Sequence, residues 1–443
     1  MKIGVVQVAL SHGGAEQVGV LLANGLRQHG HDSFILTDLN EPIVYHVDEQ
    51  VSVYDFVGKK SNPLVKWTKS IKNIRKILKL EKPDVVIGIM GLCTLVTYIA
   101  CLGLKIPVVM TEHNSFERPA SAPMPFSLKI FKFWFNKLYQ HITVLTKADK
   151  KVIGNKLKNV KVMPNPLLLE PINEIPPKEN YVLAAGRVDS WHYKGFDILL
   201  QAWKSLQELN DNVNDDDNLR EWWLKIAGAG KQESFEYLKR LLPDGEWVFN
   251  DNVDDNHLNT KHTKEKNVSA EKQNSQKCGV WKSEKYHIEF LGFQKDMESL
   301  YKKSEIFVLS SRYEGFGLVL IEAMSQGCAP IACDYKGRQR EILKETHPSP
   351  PCLGRDPNSA ECNNNNSSLN REVFQKAGIE ICENGLLCEP ENVEVLAKAL
   401  EKMMTDEEYR KQAQQKSVER SKYYSLDNCV NRWEKYLSQI KGL

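Results

Sequence analysis

The sequence predicts an α/β fold in which two domains follow each other along the chain, each built around a mostly parallel sheet. Short apolar runs that suit buried strands alternate with longer amphipathic stretches that suit helices. This alternation stops once, at residues 163–180, which hold five prolines, and then begins again. A length of 443 residues also fits two or three domains of about 150 residues each.

In the first half, residues 2–9 read as a buried strand, followed by HGGAE and by a helix that ends near Gly30. Residues 85–104 carry no charge and are long enough to span a bilayer. However, Gly88 and Gly91 interrupt them, which favours a strand followed by a packed helix. Further strands are predicted at 33–39, 83–89, 106–112 and 142–145.

In the second half, three polar stretches interrupt the alternation at about 209–219, 251–287 and 346–371. Such compositions bury too little apolar surface to offset chain entropy, so these stretches are predicted to be solvent-exposed insertions. Between them, strands are predicted at 181–188, 222–230, 288–293, 306–311 and 329–334, and helices at 195–209 and 317–327.

The composition is that of an ordinary soluble globular protein, with 42% hydrophobic and 26% charged residues. A net charge of +2 argues against a nucleic-acid partner. Ten cysteines occur without a Cys-x-x-Cys pair, and several lie in apolar runs, which is typical of reduced thiols in a cytoplasmic protein. Their spacing matches no usual zinc site, and the N-terminus lacks a signal-peptide pattern.

Four loops at predicted strand ends could carry chemistry, because a parallel sheet binds ligands at the carboxyl ends of its strands. HGGAE brings backbone amides close to an anion at Gly14, and TEHN offers His113 as a hydrogen-bonding or acid–base group. Arg187 and Lys194 combine a planar fork with a point charge, which suits a diphosphate. Each residue alone also fits an ordinary role, as a turn glycine, a backbone-bonded histidine or a solvated cation.

The fourth loop lies in SSRYEGFGLVLIEAMSQG, where two glutamates stand eight positions apart. Glu314 is predicted in a loop whose glycines permit close backbone approach, and Glu322 on the helix that follows. A buried helix glutamate needs hydrogen-bond donors, which ribose hydroxyls would supply. A capping or salt-bridged glutamate is the alternative for either residue alone.

Together these motifs resemble the retaining glycosyltransferases of family four. The resemblance rests on Glu314-x7-Glu322, on GRV…KGFDILL before it and on NGLLCEPENVEVLAKAL after it, with GGAE, TEHN and MPNP in the family's order. It implies the GT-B fold, with two Rossmann-like domains at 1–171 and 172–420 whose parallel sheets face each other across a cleft. Residues 421–443 are then expected to form a helix that crosses back to the first domain. One departure is Ala229 in IAGAG, where the family often has an acidic residue.

The resemblance implies a transfer of sugar from a nucleoside-diphosphate sugar to an acceptor hydroxyl, without a metal or other cofactor. Arg187 and Lys194 would bind the diphosphate and Glu322 the ribose, while His113 and Glu314 would contact the donor sugar at the catalytic centre. The remaining donor contacts would come from backbone atoms, at Gly14, Phe316, Gly317 and Leu318. Because the donor phosphate can deprotonate the acceptor in retaining members, no dedicated enzyme base is required.

Two other functions stay open, a nucleotide-sugar epimerase of related architecture and a non-catalytic nucleotide-sugar-binding subunit. The resemblance also implies a saccharide or lipid-linked saccharide acceptor, used in surface polysaccharide, lipopolysaccharide or glycolipid assembly. Residues 56–80 hold eight basic residues and no acid, and residues 125–139 combine Lys129, Lys132 and Lys137 with aromatic side chains. Both stretches could dock a cytoplasmic enzyme on an anionic membrane surface, and a solvated basic face is the alternative.

Overall fold

The structure is a computed structural model of the chain, and it describes residues 1–11, 13–58, 63–118, 123–212, 222–242, 247–250, 280–344 and 378–442. The chain forms two compact units. The N-terminal unit comprises Met1–Glu170 together with Glu314–Leu318 and Lys422–Leu443, and the C-terminal unit comprises Pro171–Tyr313 and Val319–Ser421.

The N-terminal unit is built on a seven-stranded sheet in which every paired strand is parallel, in the order β3-β2-β1-β4-β5-β6-β7. Apolar side chains cover both sides of this sheet, which explains why its central strands read as continuous apolar runs. The elements are β1 (Lys2–Val6), α1 (Gly14–Gln28), β2 (Asp32–Thr37), β3 (Ser52–Asp55), α2 (Pro63–Glu81), β4 (Val85–Ile89), α3 (Gly91–Cys101), β5 (Val108–Glu112), α4 (Phe126–Phe133), β6 (His141–Val144), α5 (Lys147–Ile153) and β7 (Val160–Val162).

The C-terminal unit is built on a nine-stranded sheet in the order β10-β11-β12-β9-β8-β13-β14-β16-β15, parallel in its centre and antiparallel at both edges. Its elements are β8 (Glu179–Ala185), α6 (Trp191–Lys194), α7 (Phe196–Asn212), β9 (Trp223–Ala227), α8 (Gln232–Lys239), β10 (Trp247–Asn250), β11 (Val280–Ser283), β12 (Ile288–Gly292), α9 (Met297–Lys303), β13 (Ser304–Leu309), α10 (Leu318–Ser325), β14 (Ala329–Cys333), α11 (Arg338–Leu343), β15 (Ile379–Cys382), β16 (Gly385–Cys388), α12 (Val393–Thr405) and α13 (Glu407–Ser421).

The last helix, α14 (Leu426–Lys441), belongs to the N-terminal unit and packs against α1. Val430 and Trp433 join the apolar core on that side of the sheet. At the surface, Glu434 accepts hydrogen bonds from the rings of His29 and His31. The chain after the second domain is therefore held by both apolar and polar contacts to the first.

Two of the predicted insertions overlap ordered secondary structure, which corrects their bounds. Helix α7 continues to Asn212, inside the predicted stretch 209–219. Within 251–287, residues 280–283 form β11, and Tyr286 is buried beneath Trp203, whose ring nitrogen donates to its carbonyl oxygen. The Lys- and Asn-rich composition of the longer stretch hid these few apolar residues. Residues 213–219, 251–279 and 346–371 lie outside the described residues.

Candidate active site

The loop after β1 leads into α1, which begins at Gly14. Its backbone is held by a side chain distant in sequence, because Gly13 N–H donates to the Tyr45 hydroxyl at 2.9 Å and that hydroxyl donates to Gly13 O at 3.0 Å. Tyr45 was not predicted, since nothing in the local sequence links it to this loop. The amides at the start of α1 are thereby fixed in a geometry that suits an anion.

His113 follows β5 directly, and its hydrogen bonds define its protonation. The Thr111 hydroxyl donates its proton to Gly88 O at 3.0 Å, so it must accept the bond from His113 Nε2, 3.1 Å away. Nδ1 then carries a lone pair, and this buried atom makes no hydrogen bond of standard geometry with the described residues. Burial lowers the pKa of His113 to about 4, and a contact with Asn165 opposes that shift only in part. The ring is therefore neutral at pH 7, and its Nδ1 can accept a hydrogen bond from a hydroxyl.

The segment Glu314–Leu318 belongs to the N-terminal unit and lies beside the two loops just described. A β-carbon at Gly315 would lie 2.6 Å from His113 O, and one at Gly14 would lie 3.3 Å from Leu318 Cδ1. Gly317 has a φ of 93°, in the region that favours glycine. The structure thus brings Gly14 and His113 together with the predicted donor-sugar segment.

Phe316 contributes to this arrangement by packing rather than through a polar group. Its buried ring meets Tyr424 edge to face at 5.7 Å between centroids. Tyr424 O in turn accepts a hydrogen bond from Leu167 N at 2.7 Å. The segment's one aromatic residue therefore fixes its backbone and leaves the polar contacts to its neighbours.

Arg187 and Lys194 lie together in the C-terminal unit, on the loop that follows β8. Arg187 is exposed. The alkyl chain of Lys194 packs over Gly186, the residue before Arg187, so that a β-carbon at Gly186 would lie 3.0 Å from Lys194 Cε. A side chain at position 186 would therefore displace Lys194. The two cations predicted to bind a diphosphate are neighbours in the structure.

The loop that carries these cations is anchored by a second loop, after β13. Arg312 forms a bidentate ion pair with Asp197, at 2.6 and 2.8 Å, and also donates to His192 O. Gly195 has a φ of 66° and packs so closely on Ser310 that a β-carbon would lie 2.0 Å from its carbonyl oxygen. These anchoring residues were missed because Arg312 and Asp197 are 115 positions apart and each alone resembles a surface charge.

Glu322 lies on α10, as predicted, and its side chain is partly buried. Burial raises the pKa of Glu322 to about 7, although the Tyr301 hydroxyl donates to Oε2 at 3.2 Å and opposes the shift. One donor does not satisfy a carboxylate, which can accept about four hydrogen bonds. The carboxylate is therefore suited to accept further hydrogen bonds from the hydroxyl groups of a ligand.

No group of three or more His, Cys, Asp or Glu side chains in the described part of the chain is placed to hold a metal ion. The same part of the chain includes no helix with the length and apolar character needed to cross a bilayer. The uncharged residues 85–104 form the buried strand β4 and the helix α3.

Comparison with known families gives one match in each half of the chain. The model described as Glycosyltransferase Family 4 matches residues 12–170, and the model described as Glycosyl transferases group 1 matches residues 264–349. The first match includes Gly14 and His113, and the second includes Glu314 and Glu322.

Two characterised relatives and one solved structure are similar over most of their length. A Campylobacter jejuni α-1,4-N-acetyl-D-galactosaminyltransferase that acts on an undecaprenol-diphosphate-linked saccharide is 24% identical over 100% of this chain and 99% of its own. An Escherichia coli UDP-Gal:α-D-GlcNAc-diphosphoundecaprenol α-1,3-galactosyltransferase is 24% identical over 78% and 82%. The Anabaena protein HepE, solved with UDP and glucose, superposes with a TM-score of 0.62 at 15% identity, covering 99% of this chain and 100% of that one.

Proposed function

This chain belongs to glycosyltransferase family four and has the GT-B fold, and from that membership we propose that it transfers a sugar from a UDP-sugar to a hydroxyl group of a lipid-diphosphate-linked saccharide during glycan assembly. The proposal takes the donor nucleotide from the Escherichia coli relative, which uses UDP-galactose. It takes the acceptor class from both relatives, whose acceptors are linked to undecaprenol through a diphosphate. Such an enzyme would work on the cytoplasmic side of a membrane.

One observation carries the proposal: Gly315 packs against the carbonyl oxygen of His113. This contact puts the Glu314 loop next to the histidine whose Nδ1 lone pair is buried without a standard hydrogen bond. A donor sugar offers hydroxyl protons to such an acceptor, and Glu314 offers a carboxylate to the same sugar.

The proposed reaction separates an anomeric carbon from a diphosphate, so its barrier depends on charge placed at the leaving group. Arg187 and Lys194 would hold the diphosphate, and the amides at the start of α10 after Gly317 would bind its oxygens. A single preorganised donor of this kind is worth about 3 kcal/mol of barrier. We propose retention of anomeric configuration, with the donor phosphate taking the acceptor proton, and no requirement for a metal.

The acceptor's lipid leads to a proposed membrane contact on α4. Large apolar side chains recur at every fourth residue along α4 and the turn that follows it, and they face solvent, with Phe126 78% and Trp134 66% exposed; Ile130 and Leu138 continue the series. Exposed Lys129 and Lys137 lie among them. Aromatic and basic residues in this combination suit a bilayer interface, so this exposed α4 surface is the proposed docking site.

The two stretches that could contact a membrane differ in what they expose to solvent. In α2, Ile74 and Leu78 are buried, so the apolar stripe packs on the sheet and leaves a basic outer face at residues such as Lys69 and Lys76. In α4, by contrast, Lys132 is buried and cannot contact lipid, which corrects its assignment to the interfacial surface. Docking is therefore proposed to depend on the apolar residues of α4 more than on α2.

The test is a product assay with a panel of UDP-sugars and a short-chain polyprenyl-diphosphate saccharide as acceptor. The expected product is heavier than the acceptor by one sugar residue, and it should disappear in Glu314→Ala, which keeps the nucleotide contacts. An isomerised UDP-sugar without a heavier acceptor would support the epimerase. Donor binding with neither product would support a non-catalytic binding subunit.

A further inference from the structure

Lys132 lies on α4 but points into the protein, unlike most other large side chains of that helix. It forms an ion pair with Glu112, the last residue of β5, with 3.3 Å between Nζ and Oε2. The two side chains are 3% and 5% exposed. A lysine and a glutamate thus meet in the interior at the strand end from which His113 emerges.

Lys132 also binds the backbone that follows His113. Its Nζ donates to Asn114 O at 2.8 Å and to Ser115 O at 2.9 Å, so with Glu112 it has an acceptor for each of its three protons. Glu112 Oε1 accepts the Asn114 N–H at 3.0 Å. The same pair of charges therefore fixes both the amide and the carbonyl of the residue next to His113.

A second buried carboxylate holds the other end of this loop. Asp149, on α5, accepts the Phe116 N–H at 2.9 Å, and its Oδ1 lies 2.9 Å from the Ser115 hydroxyl oxygen. Its Oδ2 accepts the Thr146 hydroxyl at 2.7 Å. Three consecutive residues after His113 are thus bound through their backbone or side chains by buried charged groups on two helices.

A simple contribution to stability explains this arrangement poorly. Replacing a buried ion pair by apolar residues of similar volume is often neutral or stabilising, because desolvation offsets the attraction. The pair instead fixes the backbone of the loop, because the ammonium and the carboxylates form all of these hydrogen bonds in only one backbone geometry. That geometry sets where the His113 ring and carbonyl lie.

We infer that Lys132, with Glu112 and Asp149, is a positioning residue that holds the His113 loop in its working geometry. The inference rests on the proposed function, because it takes its consequence from the contact of His113 with the donor sugar. Since Arg187, Lys194 and Glu322 would bind the nucleotide, losing the Lys132 contacts should slow turnover without weakening nucleotide binding. A misplacement of about 1 Å at a reacting centre can reduce a rate about 100-fold.

The variant that tests this is the double substitution Lys132→Met with Glu112→Gln, which removes both buried charges and leaves neither unpaired. We expect kcat to fall between about 10- and 100-fold, and the Kd for UDP to stay within about twofold. Arg75→Met is the matched control, because Arg75 also donates to two backbone carbonyls of the same unit, those of Ala100 and Leu102, at 2.7 Å each. It should change thermal stability but not kcat.

Two further measurements separate positioning from a general loss of structure. In a His113→Ala background the double substitution should lower kcat by less than it does in the unmodified protein, because only its effect through the backbone carbonyl remains, and a fully multiplicative loss would overturn the inference. Hydrogen exchange of peptides covering residues 112–118 should accelerate in the double variant and stay unchanged in Arg75→Met. Unchanged exchange there, or an unchanged kcat in an active enzyme, would equally overturn it.

These outcomes are distinguishable from a failure of the proposed function. If the unmodified protein transfers no sugar from any UDP-sugar, the proposed function fails, and the exchange rates alone decide whether Lys132 holds the loop. If the unmodified protein and the double variant transfer sugar equally well, the function stands and the inference fails.

Discussion

Replacing Glu322 by glutamine should remove a pH dependence from nucleotide binding. Burial raises the pKa of Glu322 to about 7, so this carboxyl titrates in the working range of the enzyme. The ionised carboxylate can accept hydrogen bonds from both ribose hydroxyls, whereas the protonated form uses one oxygen as a donor. Nucleotide affinity should therefore rise as the pH passes upward through 7.

The size of the effect follows from the pKa. With a pKa of about 7, roughly one tenth of the carboxyl is ionised at about pH 6 and roughly nine tenths at about pH 8, so affinity should rise about tenfold. Stability should change in the opposite sense. The pKa of Glu322 in the folded protein lies above its ordinary value of 4.5. The contribution of Glu322 to the free energy of unfolding is therefore fully present below pH 4.5 and is lost as the pH rises through about 7. The loss amounts to at most about 3 kcal/mol.

The assay is calorimetric titration of UDP into the unmodified protein and Glu322→Gln at both pH values. The phosphate of UDP also titrates near pH 6 and strengthens binding to both proteins alike. The difference between the two proteins thus isolates Glu322. Tyr301→Phe removes the hydroxyl that donates to the carboxylate, so it should move the transition to higher pH. Equal pH dependence in the unmodified protein and Glu322→Gln would refute the assignment of Glu322 to the ribose.

Three other predictions follow from the proposed site. Arg187→Ala should weaken UDP binding by about tenfold or more, as expected for the loss of a charged hydrogen bond. Glu314→Ala should lower turnover and leave UDP affinity unchanged. The reverse pattern would contradict the assigned roles. Sugar transfer should persist in EDTA, and loss of transfer that manganese or magnesium restores would show that a metal is required. The double variant Phe126→Ser with Trp134→Ser should co-sediment less with anionic vesicles than the unmodified protein. The control Leu80→Ser changes a side chain that is 73% exposed on α2 and should leave co-sedimentation unchanged. Equal binding by the unmodified protein, the double variant and the control would exclude the α4 surface.

The sequence was sufficient to predict the parallel sheets and the loops that carry the candidate site. The strands β1, β4 and β5 are continuous apolar runs because both sides of the sheet are covered, and such runs are readable without a structure. Polar residues directly after those runs, such as His113, necessarily lie at the carboxyl edge of the sheet. The same argument located Arg187 after β8.

The residues that hold the site in place could not be predicted in this way. Tyr301 meets Glu322 from a different helix, and Asp197 meets Arg312 across 115 positions of sequence. Lys132 was misassigned because a lysine among aromatic residues looks the same whether it faces lipid or a buried glutamate. Pairing between distant charges depends on tertiary packing, which periodicity and local composition do not encode.

The most direct test of the central claim is the anomeric configuration of the product, measured by NMR after transfer from an α-linked UDP-sugar. A retaining glycosyltransferase should yield a new α-glycoside on the acceptor, and Glu314→Ala should yield little or none. A β-glycoside would contradict retention. A change of configuration in the UDP-sugar itself, with the acceptor unchanged, would contradict the assignment as a glycosyltransferase that uses this acceptor.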